Sequence, residues 1–451
     1  MAWMTSPGSV PVFVLVLWLA LGAALRGRFP VGYWYVVGYP VLWVRVTYTW
    51  RALALERGLT VSKRGGQTMV NDLIMRGQDV KPRVPWLRIG LPSRTGLVIR
   101  VRMLPGQVPE QYADAALAMM HAWRVAAVRV VSPGPGRLEI RVFMTDPLAG
   151  VVVRDPDAVA SSPVLAGPGL ALTAGPGLLA LLIGVTEQTG RWVMDLRALP
   201  HWLVVGRTRS GKSTLIHSMV SRLAPLPVAL IGIDLKGGLE LSVYQARLSG
   251  LATTRTEALR LFEALMAELM DRMDRCRVAG VRAVWDLPEP PVPVVVVIDE
   301  VAELYLVSAK VEQAERDQVA ALLLRLAQLG AALDFHLIIG GQRFGSDLGP
   351  GATALRAQLP GRICMSVSDP ETAVMVLGDL WPEAVAAAQM LTPEQRGLAI
   401  TSDGAGSWMR ARATLTSAEE AAETARTYTA LTPVLRGITA PYDGREGGGA
   451  K

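Results

Sequence analysis

Apolar positions along this chain fall into three rhythms. The first is nearly continuous. Trp3–Leu25 holds no charged residue, and "VPVFVLVLWLALGAAL" is apolar almost throughout. Such a run is long enough to cross the ~30 Å hydrocarbon core of a bilayer as a helix. A shorter run, "VGYWYVVGYPVLWV" (31–44), is rich in Tyr and Trp, which favour the bilayer interface. With "RGRFP" as a tight connector, the two predict a transmembrane hairpin over residues 1–50, with the larger remainder in the cytoplasm. One span followed by an interfacial helix is the alternative. No basic residue precedes the first run, which disfavours a cleaved signal peptide.

The second rhythm is mixed. Residues 51–95 are polar and basic with scattered Pro and Gly, and read as a juxtamembrane linker. Over 96–147, "GLVIRVRM" alternates as a strand does, and "PEQYADAALAMMHAWRV" has helical apolar spacing. "AAVRVVS" and "GRLEIRVFM" are strand-like across the turn signal "PGPG". These predict a small α+β module. Residues 148–180, rich in Gly, Ala and Pro, predict a flexible joint.

The third rhythm, over 181–415, alternates strands with helices. "HWLVVG", "PVALIGID", "PVVVVID", "FHLIIGGQ" and "GRICMSV" are short apolar runs of the kind found in buried parallel sheets. "KSTLIHSMVSRLA" and "TEALRLFEALMAELMDRMDRC" space their apolar residues by three and four, as amphipathic helices do. A doubly wound, mostly parallel α/β domain follows. Residues 416–451, ending in "DGREGGGAK", predict a tail.

Charge and cysteine change the picture little. Of the formal net charge of +7, residues 1–64 account for +6, with seven basic residues against one acid. Most of the excess is therefore a membrane-flank signal rather than a nucleic-acid footprint. Two distant cysteines, Cys276 and Cys364, exclude a disulfide framework or zinc ribbon, and the four histidines form no metal-binding spacing.

The candidate chemistry sits at strand ends. "GRTRSGKST" (206–214) fits the phosphate-loop pattern between a strand and a helix: Gly206, four residues, then Gly211, Lys212 and Ser213. Main-chain N–H groups of Gly206, Arg207, Thr208, Arg209, Ser210 and Gly211, with the helix start at Lys212–Thr214, suit the phosphates of ATP. Lys212 suits the β/γ-phosphates and Ser213 suits Mg²⁺. Arg209 stands where many such loops carry glycine, so the loop there needs a backbone angle that a non-glycine can adopt. "PVVVVIDE" ends an apolar strand in two acids. Asp299 suits the metal and Glu300 the attacking water; a helix cap for "VAELY" is the plainer use of such a pair. Gln342, after "FHLIIGG", suits a γ-phosphate sensor.

These residues resemble the FtsK/SpoIIIE family of DNA translocases. "DLKGGLELSVY" (234–244) is similar to that family's D-P-K-x-x-E-L-S-x-Y, "FHLIIGGQR" to I-H-L-I-L-A-T-Q-R-P, and "LPGRICMSVSD" to I-P-x-R-I-A-F-x-V-S-S. "ELMDRMDRCRVAGVRAVWDL" resembles its E-M-x-R-R-Y…G-V-R-N-I stretch. The resemblance spans roughly residues 184–415. It implies a RecA-like P-loop motor that works as a homo-oligomeric ring, a hexamer, with double-stranded DNA in its channel and ATP between subunits. A trans arginine would complete each site: Arg362 matches the family's arginine, with Arg343 and Arg356 as fallbacks. Lys236 and Arg282 are the implied DNA contacts. Three departures stand out. Arg209 replaces a glycine. Leu329, Ala331 and Asp334 replace two basic residues and a glycine before the sensor strand. No room remains for a C-terminal DNA-reading domain. The compact outline is most similar to actinobacterial conjugative transfer proteins, which implies a membrane-anchored duplex DNA pump. The other readings are a protein-moving ATPase like those of type VII secretion, and a non-hydrolysing membrane adaptor.

Overall fold

The computed structural model describes residues 29–61, 82–93, 95–149, 153–154, 179–187, 190–307, 310–378, 382–402 and 408–439. The chain divides into two compact units, Met1–Ala149 and Gly150–Lys451.

In the first unit, β1 (Trp86–Pro92), β2 (Gly96–Arg102), β3 (Ala127–Gly134) and β4 (Arg137–Phe143) form an antiparallel sheet in the order β1-β2-β4-β3. Alternation decides which side chains enter the core: Leu97, Ile99 and Val101 of β2 and Leu138, Ile140 and Val142 of β4 are buried together. A long helix, α1 (Tyr39–Glu56), and a shorter one, α2 (Ala116–Trp123), share that core. Helix α1 buries Leu42, Val46, Trp50, Leu53 and Ala54, a single face by helical spacing. Polar tips fix its seat. The Trp50 indole donates to the Pro85 carbonyl at 2.9 Å, Arg45 donates to the Trp123 carbonyl at 2.6 Å, and the Trp123 indole donates to Thr49 Oγ1 at 3.1 Å.

This alters two sequence expectations. The run 31–44 belongs to a helical stretch whose one face is core, and α1 continues past the expected boundary at residue 50. The pattern hid this because α1 is apolar on both sides: Val41, Val44, Tyr48 and Leu55 are exposed. Among the described residues no helix is long and apolar enough to cross a membrane, and Trp3–Leu25 lies outside them. Strand β1 falls within the expected linker 51–95.

The second unit is built on a ten-stranded sheet: β5 (Ala180–Thr186), β6 (Trp192–Asp195), β7 (His201–Val205), β8 (Ala229–Ile233), β9 (Gly250–Ala252), β10 (Val294–Ile298), β11 (Phe335–Gly341), β12 (Gly361–Cys364), β13 (Leu398–Ser402) and β14 (Trp408–Ala413). Their order is β6-β5-β14-β13-β12-β7-β11-β10-β8-β9. The run from β12 to β9 is parallel; β13, β14, β5 and β6 extend it antiparallel. The α/β motor expectation therefore holds, with a mixed sheet. Helices α3 (Lys212–Leu223), α4 (Arg255–Ala279), α5 (Val311–Leu329) and α6 (Ala418–Thr427) flank it. On one face Leu215, Ile216, Met219, Val220 and Leu223 of α3 meet Val204, Leu230, Val297 and Ile338. Helix α6 lies in the expected tail, yet it is capped by Ser417 and buries Ala421 and Ala425 in the same core. The end of that tail, 440–451, is outside the described residues.

Candidate functional site

Strand order creates the site. The phosphate-loop strand β7 is not next to the acid-bearing strand β10; β11 lies between them. In register, Val205 faces Gly341, and Ile298 faces Ile339. Three tips therefore end close together at the carboxyl edge: Gly206 after β7, Gln342 after β11, and Asp299–Glu300 after β10. Ligands collect at such an edge, where parallel strands of a doubly wound sheet reverse their order. Close approach explains a glycine here: a Cβ on Gly340 would strike the Asp299 carbonyl.

The loop is held from outside itself. The Gly206 N–H donates to Gly341 O at 3.1 Å, Arg207 N–H to Ser366 O at 2.9 Å, and Gly397 N–H to Ser210 O at 2.8 Å. Gly211, at φ +101°, precedes α3, and no side chain caps that helix. Its first-turn N–H groups have no carbonyl one turn back, so they face outward with the positive helix end. The apolar face of α3 anchors it. Arg247, fully buried, closes the far end by donating to the carbonyls of Ala224, Leu226 and Val228 at 2.8–3.0 Å.

Lys212 reaches back over the acid pair. Its Nζ donates to Asp299 O at 2.5 Å and lies 3.4 Å from Asp299 Oδ1 and 3.5 Å from Glu300 Oε2. Burial pushes the Asp299 carboxyl above its ordinary range; the Lys212 ammonium pulls it back, and Asp234, Glu240 and Glu300 add to the push. Glu300 is 6% exposed. Its Oε1 accepts the Gln342 main-chain N–H at 3.2 Å. A cavity of about 690 Å³ opens over these groups; Gly206–Arg209, Gly211–Thr214, Lys236, Asp299, Glu300 and Gln342 are in its wall.

Most sequence-chosen residues thus converge, and three do not sit as expected. Arg362 is 4% exposed on β12, and its Nη2 donates to the Arg356 carbonyl of its own chain at 2.7 Å. A buried guanidinium so held is not placed to reach another chain. Of the fallbacks, Arg356 donates to Phe344 O at 3.3 Å, while the Arg343 side chain is 56% exposed with Asp347 at 3.8 Å. Lys236, expected at DNA, is in the cavity wall with its Nζ 3.4 Å from Glu300 Oε2. Arg282 is exposed, but it follows α4, whose Arg272 donates to Leu333 and Val292 just before β11 and β10. That is the opposite edge of the sheet. Sequence reasoning missed Glu240, Glu394, Arg396 and Arg412, which also line the cavity. The "PEQRG" segment holding two of them has no motif of its own; only the long-range bond from Gly397 to the loop reveals it.

Fold and site together define a P-loop ATPase. The chain belongs to the FtsK/SpoIIIE family, which it matches over residues 180–288 and 284–346; residues 21–144 match the actinomycete conjugal transfer protein N-terminal domain. It is 38% identical over 372 residues to "Transfer protein TraSA" of Streptomyces ambofaciens, covering 80% of this chain and 85% of that one. It is 44% identical over 269 residues to "Sporulation regulatory protein" of Streptomyces azureus, covering 59% and 89%. Among solved structures, the pCW3 conjugation coupling protein TcpA, monomer form with ATPgS, shares the fold at a TM-score of 0.53 and 20% identity, over 76% of this chain and 94% of that one.

Proposed function

We propose that this protein is an ATP-driven translocase of double-stranded DNA that works in conjugative transfer of a plasmid or integrative element. It acts as a homo-oligomeric ring, a hexamer, held at the plasma membrane through Trp3–Leu25 with the motor unit in the cytoplasm. The observation that carries this reading is the convergence of Lys212, Asp299, Glu300 and Gln342 on three neighbouring strand tips above an uncapped helix start. Membership of a translocase family and likeness to a transfer protein support the choice of DNA as cargo.

The residues present fit ATP and Mg²⁺. The cavity is roomy, no side chain caps α3, and among the described residues the Lys212 ammonium meets two carboxylates and one carbonyl. Gly206–Gly211 and the α3 start would hold the phosphates; Lys212 would neutralise them; Ser213 and Asp299 would hold the metal. The bound metal supplies Lewis-acid stabilisation of phosphoryl charge. Glu300 accepts the proton of the attacking water, which needs a carboxylate oxygen within hydrogen-bond reach. Gln342, at the intervening strand tip, orients that water. Arg343, exposed beside Gln342, is the trans arginine that stabilises developing charge in the next subunit. DNA is gripped through phosphates, so binding weakens steeply with salt and ignores sequence.

The test is hydrolysis by the full-length protein in detergent or vesicles, with and without long linear duplex DNA. Stimulation by duplex is expected. Indifference to duplex, with stimulation by a peptide substrate, would remove DNA as the cargo.

A further inference from the structure

Both oxygens of Glu300 are engaged. Oε1 accepts from the Gln342 N–H at 3.2 Å, and Oε2 lies 3.4 Å from Lys236 Nζ and 3.5 Å from Lys212 Nζ. Two ammonium groups therefore compete with water for the lone pairs of Oε2. Two cations share Oε2, and they differ in what can draw them away. Lys212 belongs to the phosphate loop, so nucleotide phosphates compete for it. Lys236 stands on another element, the segment after β8, and its side chain is 38% exposed. That segment is fastened at its base: the Asp234 carboxylate accepts the N–H groups of Lys236, Glu240 and Leu241 at 2.8–3.2 Å. Next to Lys236, Gly237 and Gly238 both have φ near +74°, a conformation that glycine adopts without cost. Lys236 is thus a long cation on a fixed base, open to solvent at one end of its reach and touching Glu300 at the other.

We propose that Lys236 is a positioning residue that restrains Glu300 at rest, and that duplex DNA phosphates, by drawing Lys236 away, release Glu300 for hydrolysis. The DNA half of this rests on the translocase reading above; the restraint half does not. One lysine then links cargo to chemistry. Neither phosphate loading alone, which occupies Lys212, nor cargo alone, which occupies Lys236, clears Oε2.

Linkage makes the idea testable without turnover. If Lys236 must leave Glu300 to meet DNA, then neutralising Glu300 must tighten DNA binding, and the gain must need Lys236. Duplex affinity of the full-length protein, measured by fluorescence anisotropy without nucleotide, should rise several-fold in Glu300→Gln. It should fall in Lys236→Met, with the salt slope smaller by about one. In the double variant the gain from Glu300→Gln should vanish. In hydrolysis assays Lys236→Met should raise the DNA-free rate several-fold and shrink the stimulation by DNA, whereas Lys236→Arg should restore the restraint. An affinity gain in Glu300→Gln that survives Lys236→Met overturns the coupling. A DNA-free rate in Lys236→Met equal to or below wild type, in a variant that melts normally, overturns the restraint. Should the wild-type protein fail to bind duplex at all, the translocase reading falls, and the DNA-free rate of Lys236→Met still decides the restraint.

Discussion

The two edges of the motor sheet both bury charge, and they do so differently. At the amino edge the buried charges Arg272 and Asp334 close on partners. Arg272, fully buried on α4, donates to Glu268 at 2.8 Å, to Leu333 O at 3.0 Å and to Val292 O at 2.9 Å, and stacks 4.7 Å above the Phe335 ring. Asp334, 2% exposed, accepts from Arg197 at 2.8 Å and pairs with His336 at 3.0 Å. At the carboxyl edge Lys212, Asp299 and Glu300 also pair, but their ring faces a cavity of about 690 Å³. The contrast separates structure from chemistry. Closed charges fasten elements together; charges that pair while facing open space can exchange those partners for a ligand.

The largest expected effects test that division directly. Lys212→Ala and Glu300→Gln should each lower hydrolysis by about 10²-fold or more. Glu300→Gln should not lower the melting temperature as a clasp variant does, because it removes one of several crowded acids and keeps an oxygen for the Gln342 N–H. Across the sheet, Arg272→Ala should do the reverse. It strands Glu268 and two carbonyls, and breaking a buried pair costs about 3–5 kcal/mol. Urea unfolding that placed Glu300→Gln and Arg272→Ala at the same midpoint would erase the distinction.

A pH effect comes next. His201 opens β7 opposite Leu337, at the amino edge. Burial, with the neighbouring His336 adding to it, pushes its pKa down to about 4. The unfolded chain binds that proton near pH 6.5. Stability from neutral His201 is therefore complete above about 6.5 and is lost as pH falls towards 4, by up to about 3 kcal/mol. Chemical denaturation at pH 7.5, 6 and 5 should show the decline, and His201→Gln should flatten it. The carboxyl edge has the opposite sign. Burial raises the Asp299 carboxyl, so holding it ionised works against folding, and Asp299→Asn should unfold no more easily at neutral pH while losing hydrolysis.

The sequence was most informative where function demands fixed spacing. Gly206, Gly211, Lys212 and Ser213 are local, and Asp299–Glu300 end a strand too apolar to be anything but buried. What stayed hidden depended on the third dimension. Arg362 matched a family motif, but its burial beneath β7 and β13 is a matter of strand order. Lys236 looked like one more basic residue until β8 and β10 proved to be neighbours. Helix α1 carries apolar residues on its exposed side as well as its buried one, and composition alone gives a lipid-facing and a core-facing side the same letters.

The finest comparison between the edges uses backbone strain. Among the described residues three non-glycines have positive φ, and two stand where resemblance to the family expects glycine: Arg209 at +66° in the phosphate loop and Asp334 at +61° before β11. A left-handed L-residue costs about 1–2 kcal/mol, and glycine removes that cost while adding about 0.5–1 kcal/mol of unfolded-state entropy. The backbone terms at the two positions are alike, so the side chains decide the sign. Arg209 is exposed and lines the cavity, and among the described residues its guanidinium meets no partner. Arg209→Gly should therefore stabilise the fold by up to about 1 kcal/mol, and should raise the apparent KM for ATP by removing a cation from beside the phosphates. Asp334 is different. Burial alone would raise its carboxyl, but the hydrogen bonds from His336 and Arg197 outweigh it and hold the group below its ordinary range. Asp334→Gly gains the same backbone relief, yet leaves Arg197 and His336 without their shared acceptor, and should lower the melting temperature. Equal shifts in the two variants would mean that φ, and not the charge network, governs both edges.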